Sequence, residues 1–382
     1  MYLFYDTSQA MNKLLIITLS CLLFACVQTT KNESSHSSSL KYAKGFRVTR
    51  EKGYTLVEVT NPYPQSSVAL RYIVVQRGAE VPVHDNNTEV IVAPVERMVC
   101  TSTSHVGLLD QLDAEEVLIG FPTTDLISSE KIRPRIGSGL VADLGIDSEM
   151  NLELLYSLKP ELVMGYSISG DMVKLSRVSD LGIPVVINAE YLEDHPLGRA
   201  EWIKFMAVFL DKEKEADSIF NRIEKEYLAA KSLVENNTTK PTTISGILYG
   251  DAWFLPGGQN YAAKMLADAG YYYLWEDDSS SDFLKLDFES VYAKGVDAEY
   301  WIGVGSFNSL DEMKAAEQRY ELFAAFKQGN VYTYDARRGP TGGSEYFELG
   351  YARPDLVLKD LIKIANPELL PDYALYFHKR LE

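Results

Sequence analysis

Short strand-like runs alternate with helical stretches through most of this chain, and that alternation limits its fold more than any other feature. Arg97-Met98-Val99-Cys100-Thr101 reads as a strand, Ser104 as the cap of a helix from His105 to Leu112, and Glu116-Val117-Leu118-Ile119-Gly120 as the next strand. Asn151 caps Leu152 to Leu158, and Leu162-Val163-Met164-Gly165 follows as a strand. Asp171 to Leu181 is helical, and Pro184-Val185-Val186-Ile187 closes the unit. Such alternation predicts a mostly parallel sheet covered on both faces.

A long helical stretch follows, from Pro196 to about Glu235, with no glycine between Arg199 and Glu235. Trp202, Phe205, Met206, Phe209, Ile219, Ile223 and Tyr227 fall near helical spacing. Helices average about 11–12 residues, so one of this length predicts a strut. The alternation then resumes. Thr243 to Tyr249, Glu299 to Ile302 and Asn330 to Tyr334 read as strands. Tyr261 to Ala269, Asp287 to Ala293, Tyr320 to Phe326 and Pro354 to Ile364 read as helices. In front, Tyr54 to Val59, Ala69 to Val75 and Val90 to Val92 predict a small antiparallel addition. The expected order is a β-rich addition (45–94), an α/β lobe (95–195), a connecting long helix (196–238) and a second α/β lobe (239–382).

Ahead of this body, Met11-Asn12-Lys13 precedes the apolar run Leu14 to Ala25 and then Cys26. That is the layout of a secretory signal over residues 1–25, with Met11 as the expected start. The apolar run is shorter than the roughly 20 residues a bilayer span needs. Leu23-Phe24-Ala25-Cys26 also fits a bacterial lipobox, which marks Cys26 for lipidation. Thr29 to Ser39 contains no apolar residue and cannot offset its ordering entropy by burial, so residues 26–44 are expected to tether the body to a membrane surface. The expected location is the cell envelope, on the outer, periplasmic side.

The net charge of −17 argues against a nucleic-acid partner, which demands clustered Lys and Arg. Removal of Cys21 with the signal and lipidation of Cys26 leave Cys100 alone, so no intramolecular disulfide is expected. Cys100 lies in an apolar run and reads as a core residue. The five histidines are widely spaced and form no zinc-helix pair, so no metal site and no bound cofactor are expected. Gly137-Ser138-Gly139-Leu140-Val141-Ala142 matches a dinucleotide pattern, but no clear strand precedes it. His105 beside Ser102 and Ser104 suggests hydrolysis, yet no G-x-S-x-G elbow is present.

Several blocks carry a family resemblance. They are Val95 to Ser102, the run Asn151-Leu152-Glu153 through Lys159-Pro160-Glu161-Leu162-Val163, and Leu181-Gly182-Ile183-Pro184-Val185. Gly257-Gly258, Ala269-Gly270 and Leu286-Asp287-Phe288-Glu289 extend it. Over about residues 95–350 the chain resembles the periplasmic binding proteins of ABC importers for iron–siderophore complexes and vitamin B12. The ending, Gly339 to Gly343 and Arg353 to Leu361, is similar to a lipid-anchored subgroup. The resemblance implies two Rossmann-like lobes joined by a single long helix, a metal chelate in the cleft between them and no catalysis. Corrinoid or haem is the alternative ligand, and an envelope enzyme on the same scaffold is the alternative class. It also implies an ABC permease with its ATPase subunits as partners. One surface glutamate per lobe would dock on the permease. Glu153 matches the first, and Asp268 stands near the second position, where the family has glutamate.

In open α/β sheets ligands bind beyond the carboxyl ends of the strands. In the first lobe those ends are Ser102-Thr103-Ser104-His105, Phe121 to Thr123 and Tyr166 to Ser169. In the second they are Tyr249 to Trp253, Gly303 to Phe307 and Tyr334 to Arg338. Ser102, Thr103, His105, Tyr166, Tyr249, Trp253, Tyr334, Arg337 and Arg338 are therefore the expected ligand-binding residues. Trp253 and Tyr166 should pack on the ligand, and an arginine should meet an anionic group.

Overall fold

Three-residue strand Met98–Cys100 lies at the centre of a five-stranded parallel sheet that forms the first lobe. Its order is Val185–Ile187, Leu162–Gly165, Met98–Cys100, Leu118–Phe121, Ala142–Asp143. The computed structural model describes residues 40–382 and the backbone of His36 and Ser37; the signal segment and Cys26 lie outside the described residues. The central strands carry unbroken apolar runs because helices cover both of their faces. Cys100 is fully buried there, and burial pushes its thiol well above the usual range.

In the second lobe, Tyr272–Tyr273, Thr242–Ser245, Tyr300–Ile302 and Val331–Thr333 pair in parallel, and Lys379–Arg380 closes the edge antiparallel. The expected strand from Thr243 to Tyr249 is divided. Gly246 takes φ +76°, and a Cβ there would lie 1.8 Å from the Phe254 carbonyl oxygen. Beyond this kink Ile247–Tyr249 turns back on Ala252–Pro256, which pairs with Phe283–Leu286 as an antiparallel ribbon.

The front addition is a mixed sheet, not a purely antiparallel one. Phe46–Glu51, Tyr54–Val59 and Leu70–Gln76 are antiparallel neighbours, but Thr88–Ala93 runs parallel to Leu70–Gln76. The loop from Arg77 to Asn87 is long enough to return the chain to the same end. The Tyr72 hydroxyl accepts from the Ile187 backbone N–H at 3.0 Å, which fixes this sheet against the edge of the first lobe.

The connection between the lobes also differs from the single helix expected. It comprises Pro196–Glu201, Ile203–Val208 and Glu213–Ser232. Asp211 has φ +56°, which ends one helix and redirects the chain into the next. The 20-residue helix Glu213–Ser232 is the strut. It buries Ala216, Phe220, Ile223, Tyr227 and Ala230 and packs on the closing helix Pro354–Ala365. Among the described residues no helix is long and apolar enough to cross a membrane.

Candidate functional site

The loop after Met98–Cys100 runs straight into the helix Thr103–Gln111, with Ser102 at its N-cap. The expected capping role of Ser104 is not what the structure has. The Ser104 hydroxyl lies 2.8 Å from that of Ser102 and donates to Oε1 of Glu190, on the turn after Val185–Ile187. A buried acceptor on another element outcompetes the local cap. His105 is fully buried beside it, with Nε2 3.8 Å from Glu190 Oε2. Glu190 Oε2 has no hydrogen-bond partner, and the Met164 carbonyl acts on the imidazole. Burial holds the imidazole neutral, down to about 3, against the pull of the Met164 carbonyl. Burial likewise raises Glu190, against the Ser104 hydrogen bond and the Arg199 charge. No serine hydroxyl engages His105, so these residues form no serine–histidine nucleophile pair. Tyr166 covers His105 edge-on at 6.3 Å and meets Tyr191 at 6.5 Å.

Arg199 links the two lobes. Its guanidinium donates to the carbonyls of Glu193 and Tyr191, at 2.9 and 2.8 Å. It also lies over the rings of Tyr261 and Tyr351, 4.1 and 4.7 Å from their centroids. Tyr261 opens the second-lobe helix Tyr261–Asp268, and its buried hydroxyl has no partner. Tyr351 follows a π-helical turn, Tyr346–Gly350, on which Tyr346 stacks with Tyr334 at 4.8 Å. Phe347 meets Tyr334 edge-on at 5.3 Å and is 41% exposed. Tyrosines of both lobes, Tyr191, Tyr261 and Tyr351, thus gather around Arg199.

The same C-terminal segment fastens the lobes together. Glu348 accepts from Ser128 N at 2.6 Å, Ser128 Oγ at 3.0 Å and Ser129 N at 2.8 Å. Thr341 Oγ1 donates to the Asp125 carbonyl at 2.7 Å. Gly107 is required here, because a Cβ would lie 2.0 Å from the Glu348 carbonyl oxygen. Burial pushes the Glu348 carboxyl up to about 7, against the Ser128 and Ser129 donors. Its folded value lies above the ordinary 4.5, so its contribution to stability is complete below that value and is lost as pH rises through about 7. At about 1.4 kcal/mol per pH unit, the loss is on the order of 3–4 kcal/mol. Denaturation at pH 5 and pH 8 should show this slope in the wild type and a flatter one in Glu348→Gln. Equal slopes would remove Glu348 as the cause.

The expected site residues are placed unevenly. Ser102, Thr103, His105 and Tyr166 gather at the first-lobe strand ends, with His105 fully buried, and Tyr334 follows the strand Val331–Thr333 and stacks on Tyr346. Trp253 does not line the cleft. It is fully buried among Trp301, Phe288, Tyr320 and Phe323, and its indole N–H donates to the Ser245 carbonyl at 3.1 Å. Tyr249 is 78% exposed at the tip of the ribbon. Arg337 pairs with Glu345 at 2.7 Å and covers Tyr376, while Arg338 pairs with Asp335 at 2.6 Å and donates to the Ser306 carbonyl. Both arginines are thus engaged within the second lobe. Glu153 is exposed in the first turn of Leu152–Ser157, which Asn151 caps by accepting from Leu154 N. Asp268 is turned inward, accepting from the Tyr227 hydroxyl at 2.6 Å and pairing with Lys231 at 2.7 Å, so it does not stand free as a surface acid. Gly137 and Gly139 end the short helix Arg133–Gly137 and follow no strand, so the dinucleotide pattern is a helix terminus.

Sequence reasoning missed Glu190, Arg199, Tyr261, Tyr346 and Tyr351. For Glu190 the signal was present, since Asn188-Ala189-Glu190 follows the strand Val185–Ile187. Arg199 and the tyrosines lie in helical segments, where no local pattern separates a cleft residue from a core one.

Residues 98–338 match the sequence profile of periplasmic binding proteins, well over half of the chain. The chain belongs to the periplasmic binding protein family. This periplasmic binding protein is 27% identical to the uncharacterized lipoprotein MJ0878 of Methanocaldococcus jannaschii over 305 residues, 76% of this chain and 70% of the relative. It is 26% identical to the uncharacterized lipoprotein MJ0872 of the same organism over 378 residues, 92% and 91% of the two chains. Among solved structures it is similar to the apo periplasmic heme-binding protein RhuT from Roseiflexus, with a TM-score of 0.56, 20% identity, and 72% of this chain and 99% of that one covered. It is also similar to the periplasmic heme-binding protein HutB of Vibrio cholerae, with a TM-score of 0.54, 17% identity, and 69% and 99% covered. The fold of those structures is the fold of this periplasmic binding protein, and by family it is a solute-binding protein of ABC-type uptake.

Proposed function

We propose that this periplasmic binding protein captures an iron–siderophore-type metal chelate between its lobes and delivers it to a membrane permease, without catalysis of its own. The observation that carries this reading is one aromatic cluster at the strand ends of each lobe, Tyr166 with Tyr191 on one and Tyr334 with Tyr346 and Phe347 on the other. Aromatic faces suit flat, largely apolar ligands, and such sites use few polar groups to fix orientation. Haem or a corrinoid is the second reading, and the heme-binding neighbours of the same fold support it. The test is titration of the purified mature chain with ferric siderophores, cobalamin and haem, followed by tryptophan fluorescence. Tight one-to-one binding of one chelate supports the reading; turnover of a nucleotide or ester with no chelate binding would replace it with the enzyme alternative.

Delivery implies docking and anchoring. Glu153, exposed on a short helix of the first lobe, is the proposed docking acid. Glu153→Ala should slow uptake and leave solute affinity unchanged, since an interfacial charge acts mainly on association. Lost solute affinity would instead place Glu153 in the cleft. Cys26 is the proposed lipid attachment point, a reading that the lipoprotein names of the relatives support. Cys26→Ser should abolish acyl labelling and release the protein from membranes, and unchanged attachment would refute the assignment.

A further inference from the structure

We propose that residues 335–348 form a strap that latches the second lobe to the first and must lift before a solute can pass between them. This rests on the interlobe site of the proposed function but not on the identity of the solute. The strap begins at the carboxyl end of the strand Val331–Thr333 and reaches the loop that follows the strand Leu118–Phe121. Ligands of such sheets bind beyond those ends. Within itself the strap is a small hairpin. Arg338 and Ser344 form an antiparallel bridge, and Gly339 N donates to the Gly343 carbonyl at 2.8 Å. Glu345 N donates to the Arg337 carbonyl at 3.1 Å, and the Arg337 guanidinium pairs with Glu345 at 2.7 Å. None of these bonds involves the first lobe, so the hairpin can move as one body.

Its hold on the first lobe is polar. The Thr341 hydroxyl reaches the Asp125 carbonyl, and Glu348 takes the N–H groups of Ser128 and Ser129 together with the Ser128 hydroxyl. The fit is close. A Cβ at Gly343 would lie 2.1 Å from the Leu126 carbonyl oxygen, and one at Gly339 would lie 3.3 Å from the Ser128 Cβ. From Arg337 to Glu345, however, no apolar side chain is buried, and Pro340, Thr341 and Gly342 are exposed. Segments with little buried apolar contact open at far lower free energy than a core. Docking also leaves polar atoms unmatched. Asp335 Oδ1 and Ser344 Oγ are buried without partners, and native structures leave few such atoms. Lifting the hairpin brings water to them, which lowers the cost of breaking the latch. Lids of this kind commit a bound ligand and set the rate of its release.

Hydrogen exchange of the mature chain reads the latch without any solute. The N–H groups of Ser128 and Ser129 are bonded to Glu348 and exchange when it withdraws. They are expected to exchange about tenfold faster or more than those of the strand Met98–Cys100. Glu348→Ala should accelerate them about tenfold again, and Thr341→Val, at an exposed position, should act in the same direction. Exchange of Ser128 and Ser129 in step with Met98–Cys100 in all three chains overturns the strap. The gate is read by locking it. The 3.3 Å between a Gly339 Cβ and the Ser128 Cβ approaches the roughly 3.8 Å of a disulfide, so Gly339→Cys with Ser128→Cys joins the hairpin to the lobe on oxidation, and reductant releases it. Haem, ferric siderophores and cobalamin are the probes. A probe that binds the reduced chain should enter and leave the oxidised chain about tenfold more slowly or worse. Equal rates in the two states overturn the gate and leave the chelate reading standing. Should no probe bind, the chelate reading falls, and the two amides alone decide the strap.

Discussion

Trp253→Ala is expected to lower stability by about 3–5 kcal/mol, the cost of removing a large ring from a packed core. Solute affinity of the folded fraction should stay unchanged. The ring is fully buried and stacks on Trp301 at 5.2 Å, with Phe288, Tyr320 and Phe323 around it. Its N–H ties the ribbon to the strand Thr242–Ser245 through the Ser245 carbonyl. Truncation therefore leaves a cavity and removes a donor from the Ser245 carbonyl. Denaturant unfolding and ligand titration on the same variant separate the two effects. A large loss of affinity with little loss of stability would return Trp253 to the cleft.

Glu201→Ala should cost a similar amount, about 3–5 kcal/mol, the range for breaking a buried charge network. Glu201 is fully buried, and its carboxylate accepts from the backbone N–H groups of Lys41, Tyr42 and Ala43 at 2.8–3.1 Å. Glu193 does the same for Lys44 and Gly45, at 2.8 and 2.7 Å, and for the Trp202 indole at 3.1 Å. Two acids of the connecting segment thus grip residues 41–45, so the end of the expected 26–44 tether belongs to the folded body. Removing Glu201 strands the buried Ala43 N–H, at about 1–3 kcal/mol, and releases those of the exposed Lys41 and half-buried Tyr42. Limited proteolysis should then cut near Lys41 and Lys44 much faster than in the wild type. An unchanged cleavage pattern and an unchanged midpoint would show that the grip is not needed.

Where local chemistry decides a structure, the residues announced it. Asn151 caps its helix as expected because the partner, Leu154 N, is three residues away. The alternation around Met98–Cys100 and Leu162–Gly165 was readable because doubly covered strands must be apolar throughout. Ser104 was misread because its acceptor, Glu190, is distant in sequence. Trp253 was misread for a different reason. Ala252-Trp253-Phe254-Leu255 has the period of a half-buried strand, alternating part-buried and buried residues. The strand expected from Thr243 to Tyr249 ends just before it, which places it in a loop at the cleft. Asp268 sits close to its predicted station on the chain, but Tyr227 and Lys231 of the strut claim its carboxylate. Glu190 and Arg199 acquire their roles only when two lobes meet, and no local spacing encodes that meeting.

The central claim is that this family member carries a metal chelate between its lobes. Native mass spectrometry of the mature protein, isolated from its own cell envelope without added ligand, tests it most directly. The account predicts a one-to-one adduct whose isotope pattern contains a transition metal and whose release on unfolding yields a chelator of small-molecule mass. An adduct without metal, such as a sugar, peptide or nucleotide, would contradict it.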